Sequence, residues 1–176
     1  MTANRWPYEL IDLSRPLNVA TAVALFGDLV ADGANPYFTD FTLEIASTHD
    51  DATAYSCVVR VPEHMGTHMD APVHTVPGAA FLEDVSLHSV MGEAVVLDLD
   101  RAGLFEYGWG EKGGPNQPAW PAHMALLGNG VIIIEGLTNL ERIRGRRMRF
   151  AALPPNIPGG SGFPVRAVAW LDQPRG

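Results

Sequence analysis

The stretch HMGTHMDAPVH, residues 64–74, places three histidines and an aspartate within eleven positions, although the whole chain has only six histidines. An α-helix would put His64 and His68 on one face, but Gly66 and Pro72 both oppose a helix. In extended chain, side chains alternate between two sides, so the three histidines and the aspartate all fall on the same side. The sequence therefore predicts a strand, a bend and a loop that direct imidazole and carboxylate groups toward one place.

The spacing within this stretch is compatible with a metal ion. His68 and Asp70 stand about 6–7 Å apart along a strand, whereas His64 lies roughly 13 Å from His68 unless the chain bends. Gly66 can supply that bend, and Pro72 would stop sheet pairing and turn the chain. Such ligands suit zinc, or manganese with an added oxygen ligand. The alternative is a solvated turn that is rich in histidine by coincidence.

Composition restricts the class of protein. The length of 176 residues and the apolar content of 47% predict one globular domain, residues 1–176. The net charge of −8 argues against nucleic acid and anionic membranes as partners. No apolar run approaches the ~20 residues of a membrane span, and the N-terminal residues do not resemble a signal peptide. With a single cysteine, Cys57, expected as a packed thiol, we expect a cytoplasmic protein that acts on a small molecule.

Alternation and turn signals predict more strands than helices. The segments expected as strands are YELIDLSRPL (8–17), FTLEIAS (41–47), AYSCVVRV (54–61), AVVLDLD (94–100), VIIIE (131–135), MRFAAL (148–153) and PVRAVAWL (164–171). The second and third of these are separated by a polar turn and should pair as a hairpin. A short helix is expected over 81–90, another is expected to begin at Pro121, and a helical turn or two is expected over 138–143 with Thr138 as N-cap. A Gly/Pro/Trp-rich loop is expected over 106–121.

Other candidate side chains are less specific. Glu135 ends the apolar run VIII, and a buried carboxylate costs several kcal/mol unless it is paired or bound to a metal. The alternative is a strand-end glutamate that reaches solvent. His123, taken alone, is typical of a surface histidine or of one at a helix start. His49 and His88 have no converging partner and are expected to be structural.

Beyond these patterns, HMGTHMDAPVH resembles the HxGTHxDxPxH signature of the metal-dependent cyclase family, which includes bacterial kynurenine formamidase and isatin hydrolase. Three further blocks are similar to the family: IDLSRPL, HMALLGNGVIIIEGLTNLERI and FAALPPNIPGGSGFPVRAVAW. The resemblance implies an α/β fold of the swivelling β/β/α type, with a strand-rich, barrel-like mixed sheet. It also implies a homo-oligomer, a dimer or larger.

The resemblance also implies roles for individual residues. Five of them match metal ligands: His64, His68, Asp70, His123 and Glu135. Asp70 and Glu135 would each bridge two ions, and His74 matches a catalytic histidine beside the metals. Since isatin hydrolase carries glutamine where this chain has Glu135, and binds one manganese, the glutamate favours two zinc ions.

The implied activity is hydrolysis of an amide C–N bond in a small molecule. N-formylkynurenine, an arylformamide of tryptophan catabolism, is the leading substrate. Metal-activated water would attack the carbonyl, and His74 would shuttle a proton to the departing amine. A cyclic amide, a lactone or a polyketide is an alternative substrate, and a metal-binding protein without turnover is the alternative of another class.

The chain departs from the family between the signature and His123, where its members have a longer segment. Part of the sheet and of the pocket wall is therefore expected to be missing or replaced. Phe105, Trp109 and Trp120, in or near this loop, are candidates for an aromatic wall, with plain core as the alternative.

Overall fold

The computed structural model describes residues 7–31, 39–51, 53–97 and 121–172. The strands of this part of the chain are β1 (Tyr8–Asp12), β2 (Thr42–Ser47), β3 (Ser56–Arg60), β4 (His68–Asp70), β5 (Met91–Val95), β6 (Ile133–Glu135), β7 (Arg147–Ala151), β8 (Gly162–Pro164) and β9 (Val168–Asp172). Its α-helices are α1 (Val19–Ala31) and α2 (Pro121–Leu127). Neither helix is long and apolar enough to cross a membrane.

The largest sheet is antiparallel, with the strand order β1-β9-β7-β5. Ala169 and Leu171, alternate residues of β9, face the core, because side chains alternate across a sheet. Ile11 of β1, for example, lies opposite Ala169 of β9, and both side chains are fully buried. The strand-rich α/β class predicted from the sequence is confirmed.

The expected barrel-like closure is not seen in the described residues. A barrel requires the outer strands of a sheet to pair with each other. Here β1 and β5 are the two outer strands, and each pairs on one side only, β1 with β9 and β5 with β7. The three sheets of the described chain are therefore open.

A three-stranded antiparallel sheet, in the order β6-β4-β8, carries the quoted stretch. Its central strand β4 has only three residues, and all of them are buried. Met69 points into the same apolar cluster as Ile11 and Ala169, which fixes the face on which its two neighbours lie. The packing of Met69 in the core therefore fixes the positions of His68 and Asp70 on the opposite face of β4.

The strands β2 and β3 form the hairpin expected from the sequence. Four of its apolar side chains, Leu43, Ile45, Val58 and Val59, are more than half exposed. Cys57, expected as a packed thiol, is only partly buried on this hairpin.

Local details of the helices differ from the prediction. The helix α1 was not expected, because its Ala-rich segment has little polar alternation; the side chain of Asn18 accepts a hydrogen bond from the Thr21 amide at its start. The segment 81–90 forms two 3₁₀ turns rather than one helix, because Val85 between them is extended. The turn near 140 is capped by Asn139 in the left-handed conformation, not by Thr138.

The bounds of two strands also differ from the prediction. The expected strand 94–100 is observed earlier, as Met91–Val95, with residues 98–100 outside the described residues. The expected strand 164–171 divides into β8 and β9, and β8 begins at Gly162, two residues before the expected start. The helix expected at Pro121 is confirmed as α2.

Two glycines with positive φ meet where β6 ends and the quoted stretch bends. Gly66 has a φ of 67° and Gly136 also has a φ of 67°. A Cβ on Gly136 would collide with the carbonyl oxygen of Gly66. The end of β6 can therefore approach the bend only because residue 136 lacks a side chain.

We expect Gly136→Ala to lower the free energy of unfolding by more than Gly145→Ala does. Gly145 has a φ of 71°, and nothing lies within 4 Å of a Cβ built on it. Alanine at this position therefore costs only the strain of a left-handed backbone conformation, about 1–2 kcal/mol. Gly136→Ala adds the collision with Gly66. Denaturant unfolding of both variants measures the difference, and equal losses would contradict the close approach.

Candidate metal centre

The strand β4 and the bend before it bring the histidines and the aspartate of the quoted stretch together. His68 and Asp70 lie on the same face of β4, opposite Met69. The bend at Gly66, predicted from the sequence, returns His64 to this face, so that its Nδ1 lies 2.7 Å from Oδ1 of Asp70. All residues from 64 to 72 are buried.

His68 presents one defined nitrogen to the site. Its Nδ1 donates a hydrogen bond of 3.0 Å to the carbonyl oxygen of Gly66, which can only accept. Its Nε2 lies 3.4 Å from Oδ1 of Asp70 and 3.6 Å from Oε2 of Glu135. Burial lowers the pKa of His68, which favours the neutral ring with its Nε2 lone pair facing both carboxylates.

Asp70 is the common element of the site. Its side chain is fully buried, and its Oδ2 accepts no hydrogen bond. Burial raises the pKa of this carboxyl, but its interactions with His123 and His64 outweigh burial and hold the pKa well below the usual range. A buried carboxylate that stays ionised, with an acceptor oxygen lacking a hydrogen bond, is a favourable place for a cation.

His123 comes to the same place from α2. Its Nε2 lies 3.1 Å from Oε1 of Glu135 and 3.4 Å from Oδ2 of Asp70. These two carboxylates raise the pKa of His123 to about 10. Glu135 is neither fully buried nor free in solvent, since 20% of its side chain is exposed.

His74 closes the site from the 3₁₀ turn Pro72–His74. Its ring stacks on that of His64 at a centroid distance of 3.8 Å and lies 5.9 Å from that of His123. Burial, followed by the neighbouring His64, lowers the pKa of His74 to about 4. The ring is therefore neutral near pH 7.

The donor atoms form two overlapping groups that fit divalent cations. His64, Asp70 and His74 offer ligand atoms within 4.8 Å of one another, and so do His68, Asp70 and Glu135. Asp70 belongs to both groups, as expected of a bridging carboxylate. Imidazole nitrogens combined with carboxylate oxygens suit zinc or manganese.

The structure thus brings together the six site residues predicted from the sequence, which are His64, His68, Asp70, His74, His123 and Glu135. The other two histidines lie away from the site. His49 lies in an exposed turn of the hairpin, and His88 on an exposed 3₁₀ turn. The aromatic candidates Phe105, Trp109 and Trp120 lie outside the described residues.

Two residues around the site were not found from the sequence. Ser161 lies within 2.9 Å of His64, between Oγ and Nε2, and Glu63 hydrogen-bonds to Ser161. Nothing in the spacing along the chain indicates that Ser161 would reach His64, because they are 97 positions apart.

Residues 11–130 match the family model for cyclases. The chain belongs to the cyclase family. Its relatives include a kynurenine formamidase of Salinibacter ruber, which is 28% identical over 90% of this chain and 96% of the relative.

Solved structures show the fold of this cyclase-family chain. An isatin hydrolase bound to the product analogue thioisatinate matches with a TM-score of 0.74 at 18% identity, over 95% of this chain and 94% of the other. A potential metal-dependent hydrolase with cyclase activity matches with a TM-score of 0.63 at 20% identity, over 96% and 100%.

The cyclase-family chain is shorter than its relative. The alignment with the formamidase spans 213 positions, more than the 176 residues of this chain, so the relative contains residues without a counterpart here. The chain is thus shortened as expected, and the location of the shortening before His123 stays a prediction.

We expect the metal-free protein to lose stability as the pH rises from about 7 to 10. The folded chain holds a proton on His123 up to about pH 10, whereas the unfolded chain releases it near 6.5. The contribution of this proton to the free energy of unfolding is therefore complete below pH 6.5 and is lost as the pH rises through about 10. Denaturant unfolding in the presence of a chelator measures it.

His123→Gln is the matched control, because glutamine is polar but does not titrate. The variant should lack this part of the pH dependence. If the free energy of unfolding of His123→Gln falls between pH 7 and 10 as steeply as that of the wild type, another group binds the proton.

Proposed function

We propose that this chain is a zinc-dependent amidohydrolase that cleaves an arylformamide such as N-formylkynurenine. The observation that carries the proposal is the buried carboxylate of Asp70, which lies between two sets of imidazole and carboxylate donors. Keeping such a group ionised without a cation is costly, so a purely structural role explains it poorly.

Five residues would hold two zinc ions. They are His64, His68, Asp70, His123 and Glu135, of which Asp70 and Glu135 would be shared between the two ions. Bound zinc would lower the pKa of water toward ~7 and polarise the substrate carbonyl. Manganese is the alternative ion, since the same donors accept it.

His74 is proposed to move the proton. Its ring is neutral near pH 7 because burial depresses its pKa, so an imidazole nitrogen can accept the proton of the attacking water. The same nitrogen then donates this proton to the departing amine, which leaves poorly without it. The stacking on His64 at 3.8 Å holds the ring beside the proposed metal ligands.

The substrate class is supported by the relative and by one residue. The formamidase of Salinibacter ruber matches over almost its whole length. Glu135 supplies a carboxylate that can bridge two cations, and a neutral amide at this position would not. A cyclic amide, a lactone or a polyketide acted on by the same site is the alternative, and a metal-binding protein without turnover is another.

We also propose one domain over residues 1–176, a cytoplasmic location and a homo-oligomer, a dimer or larger. The hairpin of β2 and β3 supports the oligomer, because its apolar side chains would lose contact with water against a second subunit.

The protein purified without added metal should contain about two zinc ions per chain and should hydrolyse N-formylkynurenine. Elemental analysis and assays with N-formylkynurenine, isatin and a lactone measure both. Turnover of only the cyclic substrates would favour the alternative substrate class. Bound zinc without any turnover would favour the binding protein, and an active metal-free protein would contradict the proposal.

His74→Ala should reduce turnover by ~10²-fold or more, while the zinc content stays unchanged, because only proton transfer is removed. His88→Ala is the control, since this exposed histidine lies outside the site. Loss of zinc together with turnover would instead make His74 a ligand, as its proximity to His64 and Asp70 permits.

A further inference from the structure

We propose that Ser161, held by Glu63, is a positioning residue that fixes which nitrogen of His64 faces the metal. The proposal rests on the proposed function in one respect, because it takes His64 as a ligand. The contacts that carry it are independent of any metal.

A chain of hydrogen bonds connects Glu63 to the centre of the site. The hydroxyl of Ser161 donates to Oε2 of Glu63 over 2.5 Å. The Oγ of Ser161 lies 2.9 Å from Nε2 of His64, whose Nδ1 lies 2.7 Å from Asp70. The chain thus runs from a partly buried glutamate to the fully buried aspartate.

The protons in this chain can be assigned from what each group can donate. A carboxylate only accepts, so the single hydroxyl proton of Ser161 goes to Glu63. The same oxygen must then accept from His64, which places a proton on Nε2. Nδ1 is left facing Oδ1 of Asp70 at 2.7 Å, where two acceptor atoms so close need a proton or a cation between them.

The position of the His64 ring is also fixed by its packing. A Cβ on Gly162 would lie only 2.5 Å from Cε1 of His64, so the chain passes directly against the ring. His74 stacks on the ring at a centroid distance of 3.8 Å. The ring thus has little freedom to turn. The hydrogen bond to Ser161 therefore decides which nitrogen of the His64 ring carries the proton, in addition to holding the ring in place.

The turn that carries Ser161 is held by a second glutamate that does not reach His64. The carboxylate of Glu83 accepts hydrogen bonds of 3.0 and 2.9 Å from the backbone amide of Gly159. Glu83 therefore supports the same turn without contributing to the hydrogen-bond chain. Substitution of Glu83 should therefore disturb the turn while leaving the hydrogen bond between Ser161 and His64 in place.

The test measures zinc affinity by competition with a chromophoric chelator, without reference to turnover. Ser161→Ala should weaken zinc binding by about 10–100-fold, as is usual when a hydrogen-bond partner of a metal ligand is removed. Glu83→Gln should bind zinc like the wild type. Ser161→Thr, which keeps a hydroxyl, should recover most of the affinity.

The protonation of His64 gives a second readout. In the metal-free wild type, ¹⁵N NMR of the imidazole should show a proton on Nε2, and this signature should be lost in Ser161→Ala. If Ser161→Ala does not fold, Glu63→Gln carries the same test, because it weakens the acceptor that orients the hydroxyl.

Wild-type affinity in Ser161→Ala or Glu63→Gln would overturn the positioning role. So would an equal loss in Glu83→Gln, which would assign the effect to the turn. These outcomes differ from failure of the proposed function, in which the wild type itself binds no zinc.

Discussion

The site depends on keeping one carboxylate ionised where water cannot reach it. Asp70 lies on a three-residue strand that is hydrogen-bonded on both sides, and the apolar cluster beneath Met69 holds that strand in place. Burial disfavours the charge, so the surrounding imidazoles must compensate for it. The bend at Gly66 and the helix carrying His123 each bring an imidazole to this carboxylate, and the turn carrying Ser161 contacts one of these imidazoles, that of His64.

The two sides of the site have different electrostatics. His68 and His74 are kept neutral by burial, whereas His123 retains a proton between Asp70 and Glu135. In the metal-free chain, that proton neutralises part of the charge of the paired carboxylates. A divalent cation would replace it, so occupancy and protonation compete for the same position.

The sequence predicts local structure where a pattern is short and chemically restricted. The bend at Gly66 follows from glycine between two histidines, and the hairpin follows from alternation on both sides of a polar turn. The helix α1 and the strand β8 lack such patterns, and their structure depends on contacts made elsewhere. Ser161 could not be found for the same reason, because only the folded chain brings it to His64. The family signature supplied the site residues that spacing alone left open.

The pairing of β4 has a consequence for the order of events in folding. Its partners β6 and β8 are separated from it by more than sixty residues along the chain. Closing such long loops costs entropy before any contact repays it, so this small sheet is expected to form late. The core sheet closes a still longer loop where β1 pairs with β9, so the ligand groups would be brought together with the core and not before it. Metal uptake would then complete a folded chain rather than initiate its folding, in contrast to small domains that fold around their ion.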